Sequence, residues 1–195
     1  MDVMNKFIPW ASPKLFGLEK KLIKKAIKSN WISGGVYVDK FEKKLSKYLD
    51  IKYSYLTSNG TSAIHLAFLA CNLKYGDEII VPGFGYLAAA NIGNLMGLKV
   101  KFVDVDKDTF CMNVETLRQC ITKKTKAVVT INTYGNLHDL KELSIFLKKR
   151  KIIFIEDAAE SFGSNVDKKQ SGTFGDIGTF SFHATKNITT GEGGL

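Results

Sequence analysis

Lys186 lies in Thr179-Phe-Ser-Phe-His-Ala-Thr-Lys-Asn-Ile-Thr-Thr-Gly-Glu-Gly-Gly194, an apolar strand-like start followed by a polar turn and a glycine-rich exit. A lysine on a turn behind a buried strand can condense with an aldehyde once it is positioned and partly desolvated. Lysine is common here, since all but two of the 28 basic side chains are lysines, and most must be solvated. What singles out Lys186 is its company. Ser181 precedes it, Ile152-Ile-Phe-Ile-Glu-Asp157 lies upstream, and Ser58-Asn-Gly-Thr-Ser62 opens a helix much earlier. Gly60, Thr61 and Ser62 offer backbone N–H groups at that helix start, either as an anion cradle or as a simple N-cap. Asp157 closes a very apolar strand, where a carboxylate either caps the next segment or holds a protonated heterocyclic nitrogen. Tyr86, after Pro82-Gly-Phe-Gly85, is either core packing or a flat platform for a ring.

These residues need a scaffold, and the apolar periodicity supplies one. Leu18, Leu22, Ile23, Ala26 and Ile27 share one face of a helix over 15–28, which Ser33-Gly-Gly35 separates from a second helix with Val38, Phe41, Leu45 and Leu49 inward. Short apolar runs predict strands at 53–57, 78–82, 99–103, 127–131, 152–155 and 177–182. Helices are expected between them at 61–72, 87–96, after Asn113 through Cys120, and 138–149. Strands alternating with helices indicate a mostly parallel sheet in a three-layer α/β arrangement. Such sheets bind ligands at the carboxyl ends of their strands. The clusters at Asn59–Ser62, Asp157–Glu160 and Ser181–Lys186 all fall there.

Composition narrows the classes. The chain has 195 residues, 45% hydrophobic and 24% charged, enough for a sizeable core. Its net charge of +9 sits in short lysine clusters without aromatic interleaving, so a solvated basic surface with some pull toward anionic substrates is expected, and no nucleic-acid partner. Cys71, Cys111 and Cys120 are scattered, as reduced core thiols in the cytoplasm would be. The start carries no signal-peptide pattern, and the most apolar window, 84–103, is interrupted by Asn91, Asn94 and Lys99, so no membrane span is expected. Asp104, Asp106, Asp108 and Glu115 have calcium-loop spacing, but Thr109 stands where the turn glycine is required. His65, His138 and His183 lack ligand spacing, so no metal site is assigned.

Five motifs occur in order: Ser58-Asn-Gly-Thr-Ser62, Asp77-Glu-Ile-Ile-Val-Pro82, Glu156-Asp-Ala-Ala-Glu160, Gly172-Thr-Phe-Gly-Asp176 and Ser181-Phe-His-Ala-Thr-Lys-Asn187. Together, from about Ile8 to Leu195, they resemble the sugar aminotransferases of the DegT/DnrJ/EryC1/StrS family, fold type I enzymes that use pyridoxal 5'-phosphate. The resemblance implies roles residue by residue. Lys186 would form the internal aldimine and shuttle a proton between substrate and cofactor carbons. Asp157 would keep the pyridine nitrogen protonated, making the ring an electron sink. The backbone at Gly60, Thr61 and Ser62, with the Ser181 hydroxyl, would hold the phosphate, and Tyr86 would stack on the ring. Glu160 matches a position, often glutamine, near the ring hydroxyl.

The family's usual reaction moves an amino group, generally from glutamate, onto a nucleotide-linked keto sugar for surface polysaccharide. Some members carry histidine in place of the lysine and dehydrate instead, so Lys186 favours transamination. A homodimer is implied for the full-length protein. Residues 1–195 would then be an incomplete large domain with a helical segment over about 1–50. It would stop before the next strand, antiparallel and inside the sheet, and before a small C-terminal domain. A different reading is a chain that stands alone as a non-catalytic remnant or binding module.

Overall fold

A computed structural model describes Pro9 and residues 11–195. Two helices lead in, α1 (Leu18–Lys28) and α2 (Val36–Leu49), followed by α3 (Gly60–Ala70), β1 (Glu78–Pro82), α4 (Ala88–Leu95) and β2 (Lys99–Val103). The chain continues through α5 (Val114–Arg118), β3 (Thr125–Ile131), α6 (Leu140–Lys149), β4 (Ile153–Asp157), the two-residue strands β5 (Asn165–Val166) and β6 (Lys169–Gln170), and β7 (Ile177–Thr179). Five strands form one sheet in the order β2-β1-β3-β4-β7. Every pairing in it is parallel, so Pro82, Val103, Ile131 and Asp157 end at the same edge.

Strand alternation builds the two faces. Ile79, Val81, Ala127, Val129 and Ile155 pack with Ile64, Phe68 and the small residues Ala88–Ala90 beneath α3 and α4. Ile80, Val128 and Phe154 point the other way, onto Val114, Leu117, Leu143 and Leu147 of α5 and α6. The expected three layers follow. A third cluster joins Leu45 and Leu49 of α2 to Ala158, Phe180, Phe182 and Leu195.

Capping decides where the helices start. The Asn59 side chain accepts the Ser62 N–H at 2.8 Å, so α3 begins directly after it, at Gly60. Asn113 caps α5 and takes part in a reciprocal capping box with Thr116.

Four expectations need adjustment. Tyr53–Thr57 is not a strand: Tyr53 and Tyr55 are exposed, and only Thr57 forms a bridge, to Gly194. The last parallel strand ends at Thr179 and not Phe182, because β4 ends at Asp157 and offers no further partner. Phe180 and Phe182 turn instead to the chain's final residues: Phe180 exchanges backbone hydrogen bonds with Leu195, and the Phe182 N–H donates to the Gly193 carbonyl. Gly194 forms isolated antiparallel bridges to both Thr57 and Ser181. The hairpin β5–β6 was not expected, and α1 buries none of its residues despite its apolar stripe.

Candidate active site

Asn59 positions the first wall. Its carbonyl and side chain take the N–H groups of Ala63 and Ser62, leaving those of Gly60 and Thr61 without a helical acceptor. Gly60 is required here, since a Cβ at this position would sit 2.9 Å from Ser181 Cβ and 3.3 Å from its Cα. The absent side chain lets the start of α3 close on the chain just beyond β7. Free N–H groups, a helix N-terminus and the Ser181 hydroxyl therefore converge, which is the donor set an anion needs.

Asp157 forms the floor. Alternation along β4 sends Glu156 to the α6 face and Asp157 to the α3 face. Glu156 is fully buried but well supplied: Asn132 Nδ2 donates to it at 2.8 Å, and the Gly172 and Phe174 N–H groups at 2.6 and 2.9 Å. Asp157 is only 4% exposed and among the described residues accepts a single hydrogen bond, from the Ala159 N–H at 3.1 Å. Burial pushes its carboxyl up to about 6, while the Ala159 N–H and Lys186 pull the other way. A buried carboxylate with spare acceptor capacity is suited to a cationic or N–H partner.

Lys186 Nζ lies 3.6 Å from Glu160 Oε1, and the lysine side chain is 23% exposed. The Tyr134 N–H holds the other Glu160 oxygen at 3.0 Å. Tyr86 is 73% exposed on the loop after β1, so it stands in the cavity wall and not in the core. The cavity measures about 450 Å³ and takes in Gly60, Thr61, Tyr86, Asp157, Glu160, Ser181 and Lys186. Residues far apart in sequence thus meet at the carboxyl ends of the strands.

Ser62 is the expected site residue that the structure leaves outside this wall. Its N–H is committed to Asn59, and its hydroxyl lies 3.1 Å from that of Ser58. Sequence reasoning placed Asn59, His183 and Thr185 within the site clusters without giving them a role of their own, and it missed Glu192; all four are in the wall. His183 Nε2 and Glu192 Oε1 are 3.6 Å apart across the lysine loop. The glycine-rich exit around Glu192 was the available signal, because Gly193 sits at φ 157 to bring that loop back. In the calcium-like segment, Asp106 Oδ1 accepts the N–H groups of Asp108 and Thr109, a local turn. Among the described residues no group of three or more His, Cys, Asp or Glu could hold a metal ion.

The sequence model of the DegT/DnrJ/EryC1/StrS aminotransferase family matches residues 15–195. The GDP-perosamine synthase of Escherichia coli O157:H7 is 44% identical over 191 residues, 97% of this chain and 52% of that protein. The E. coli GDP-4-keto-6-deoxy-D-mannose-3-dehydratase with bound hydrated PLP superposes with a TM-score of 0.92 at 36% identity, over 96% of this chain and 50% of that one. An aminotransferase from Streptoalloteichus hindustanus gives a TM-score of 0.92 at 28% identity, over 96% and 52%. The chain spans about half the length of the curated relatives it matches. Its motifs, its parallel sheet and the agreement over residues 15–195 lead to one assignment: the chain belongs to the DegT/DnrJ/EryC1/StrS aminotransferase family.

Proposed function

We propose that these residues form the cofactor-binding half of an enzyme that transfers an amino group, from glutamate, onto a keto sugar carried by GDP, with pyridoxal phosphate as cofactor. The observation that carries this reading is the placement of Lys186 in one cavity with the starved carboxylate of Asp157 and the open N-terminus of α3. The residues fit the cofactor: an anion cradle where a Cβ on Gly60 would clash with Ser181, a buried acid with a free acceptor, and an amine in the same cavity. When bound, pyridoxal phosphate supplies an aldehyde for amines and an electron-withdrawing ring.

Each side chain then has a task. The N–H groups of Gly60 and Thr61, with the Ser181 hydroxyl, hold the phosphate. Asp157 would pair with the cofactor's ring nitrogen, and burial would make that pairing strong. Tyr86 would flank the bound ring, and Glu160 would stand beside Lys186 near it. Lys186 Nζ would be the amine that meets the aldehyde, and it would move the proton at the substrate carbon that gains nitrogen. A lysine here supports transamination over the dehydration named for the E. coli neighbour. The wider setting we infer is a cytoplasmic homodimer making an amino sugar for surface polysaccharide.

The test is the visible absorption of the purified chain with added pyridoxal phosphate, beside Lys186→Ala. A yellow band is expected for the wild type, absent in the variant, bleached by glutamate, and fixed by borohydride onto the Lys186 peptide. The whole enzyme of which these residues form the half should move nitrogen from labelled glutamate onto a GDP-linked 4-keto sugar. An identical spectrum for both proteins would overturn the reading.

A further inference from the structure

Glu160 uses its two oxygens on different parts of the site. Oε2 accepts the Tyr134 N–H at 3.0 Å, and Oε1 lies 3.6 Å from Lys186 Nζ. The anchoring turn after β3 is tightly specified: Tyr134 is held at φ 55 and Gly135 at φ 82. A Cβ on Gly135 would lie 3.4 Å from the Glu160 carbonyl oxygen, so turn and glutamate are in close contact. The carboxylate is therefore fixed from one side and reaches the lysine from the other. The charged and titratable groups around Lys186 in the cavity are Asp157 from β4, Glu160 from the turn after it, His183 and Glu192 from the lysine's own loop, and Tyr86 from the loop after β1. His183 and Glu192 pair with each other. Glu160 is the carboxylate that reaches the Lys186 ammonium, at 3.6 Å.

We propose that Glu160 is a positioning residue that holds Lys186 Nζ as an ion pair until an aldehyde arrives, and so limits how fast the amine is captured below alkaline pH. The idea rests on the cofactor reading above. Condensation of an amine with an aldehyde forms a C=N bond and expels the aldehyde oxygen as water. The amine must leave the carboxylate that holds it before it can reach the aldehyde carbon, and the proton it sheds goes to solvent. Replacing Glu160 with neutral glutamine keeps the side chain's shape and removes the opposing charge.

Formaldehyde with cyanoborohydride alkylates free amines without any cofactor, and peptide mass spectrometry reads the yield at Lys186 in the cofactor-free chain. Glu160→Gln should be labelled about two- to fivefold faster than wild type at neutral pH. The ratio should narrow as pH rises and in about 1 M salt, where the Debye length is about 3 Å. Glu160→Asp, which keeps the charge but draws it back by one methylene, should fall between. Capture of pyridoxal phosphate, followed by absorbance, should speed up in the same order. Equal or slower labelling of Glu160→Gln overturns the proposal. So does a wild-type labelling rate indifferent to salt, a measurement that needs no variant. If the labelling ratio holds while pyridoxal phosphate is never captured, the ion pair stands and the cofactor reading falls.

Discussion

Glu156 and Asp157 are neighbours in sequence, both buried, and opposite in what surrounds them. Glu156 is satisfied by Asn132 and by two backbone N–H groups, which tie the 172–174 turn to the sheet. Asp157 has one donor and a carboxyl pushed up to about 6 from 3.8. With the folded value above the unfolded one, the native state binds the extra proton. Stability from this group is therefore present below about pH 4 and is lost as pH rises through about 6. Asp157→Asn should stabilise the cofactor-free chain at pH 7 by on the order of 2 kcal/mol, with the gain fading toward pH 4, as read by urea unfolding at each pH. Added pyridoxal phosphate should raise the stability of wild type more than that of Asp157→Asn, because a ring cation answers the buried charge. A variant no more stable than wild type at pH 7 would mean the carboxylate is not under strain.

At the scale of elements, the start of α3 depends on how closely it meets the chain beyond β7. Gly60→Ala would place a methyl 2.9 Å from Ser181 Cβ, and backbone lies just behind it. The expected cost is about 1–3 kcal/mol in urea unfolding, with weaker binding of inorganic phosphate in a competition assay against pyridoxal phosphate. Unchanged phosphate affinity would remove the cradle from the account. Several elements were legible to the residue: Glu78–Pro82 and Lys99–Val103 are where the apolar runs placed them. Asn59 and Asn113 announced their helices because their side chains have short-range partners. The hairpin β5–β6 was illegible, since two-residue strands carry no periodicity. Its turn residues, Asp167 and Lys168 at φ 52 and 66, lack the glycine that usually signals such a turn.

Across the whole molecule, burial is uneven. Leu45 and Leu49 of α2 are 3% exposed, whereas Leu22, Ile23 and Ile27 of α1 are 53–60% exposed. The apolar stripe of α1 thus contributes little to the stability of this chain. Replacing Leu22 and Ile23 together with glutamate should change unfolding free energy by no more than about 0.5 kcal/mol, while Leu45→Ala should cost about 2–5 kcal/mol. A large loss from the α1 pair would show that the helix packs within the chain. A second cleft, about 440 Å³, opens between Lys52–Tyr55 and Ile177–Phe180, beside Leu195. Among the described residues no helix is long and apolar enough to cross a membrane. Cys71, Cys111 and Cys120 are free thiols, and burial pushes Cys71 up to about 11, far from a reactive thiolate.

The sequence by itself determined what local chemistry can determine. Short continuous apolar runs and stripes near 3.6 set the strands and helices, small polar residues set the caps, and the alternation of strands with helices placed clusters at strand ends. The motifs around Lys186, Asp157 and Asn59 were enough to resemble one family. What it could not show is which of two equivalent-looking neighbours is used. Ser62 and Ser181 both carry hydroxyls near the helix start, yet of the two Ser181 lines the cavity, while the Ser62 hydroxyl meets that of Ser58. Tyr86 could have been core or wall, and only the turn after β1 leaves it exposed. The tether from Tyr134 through Glu160 to Lys186 joins three separate loops, and its distances exist only once β3, β4 and β7 lie side by side. Contacts of that kind depend on sheet register and loop return, which no local pattern of residues encodes.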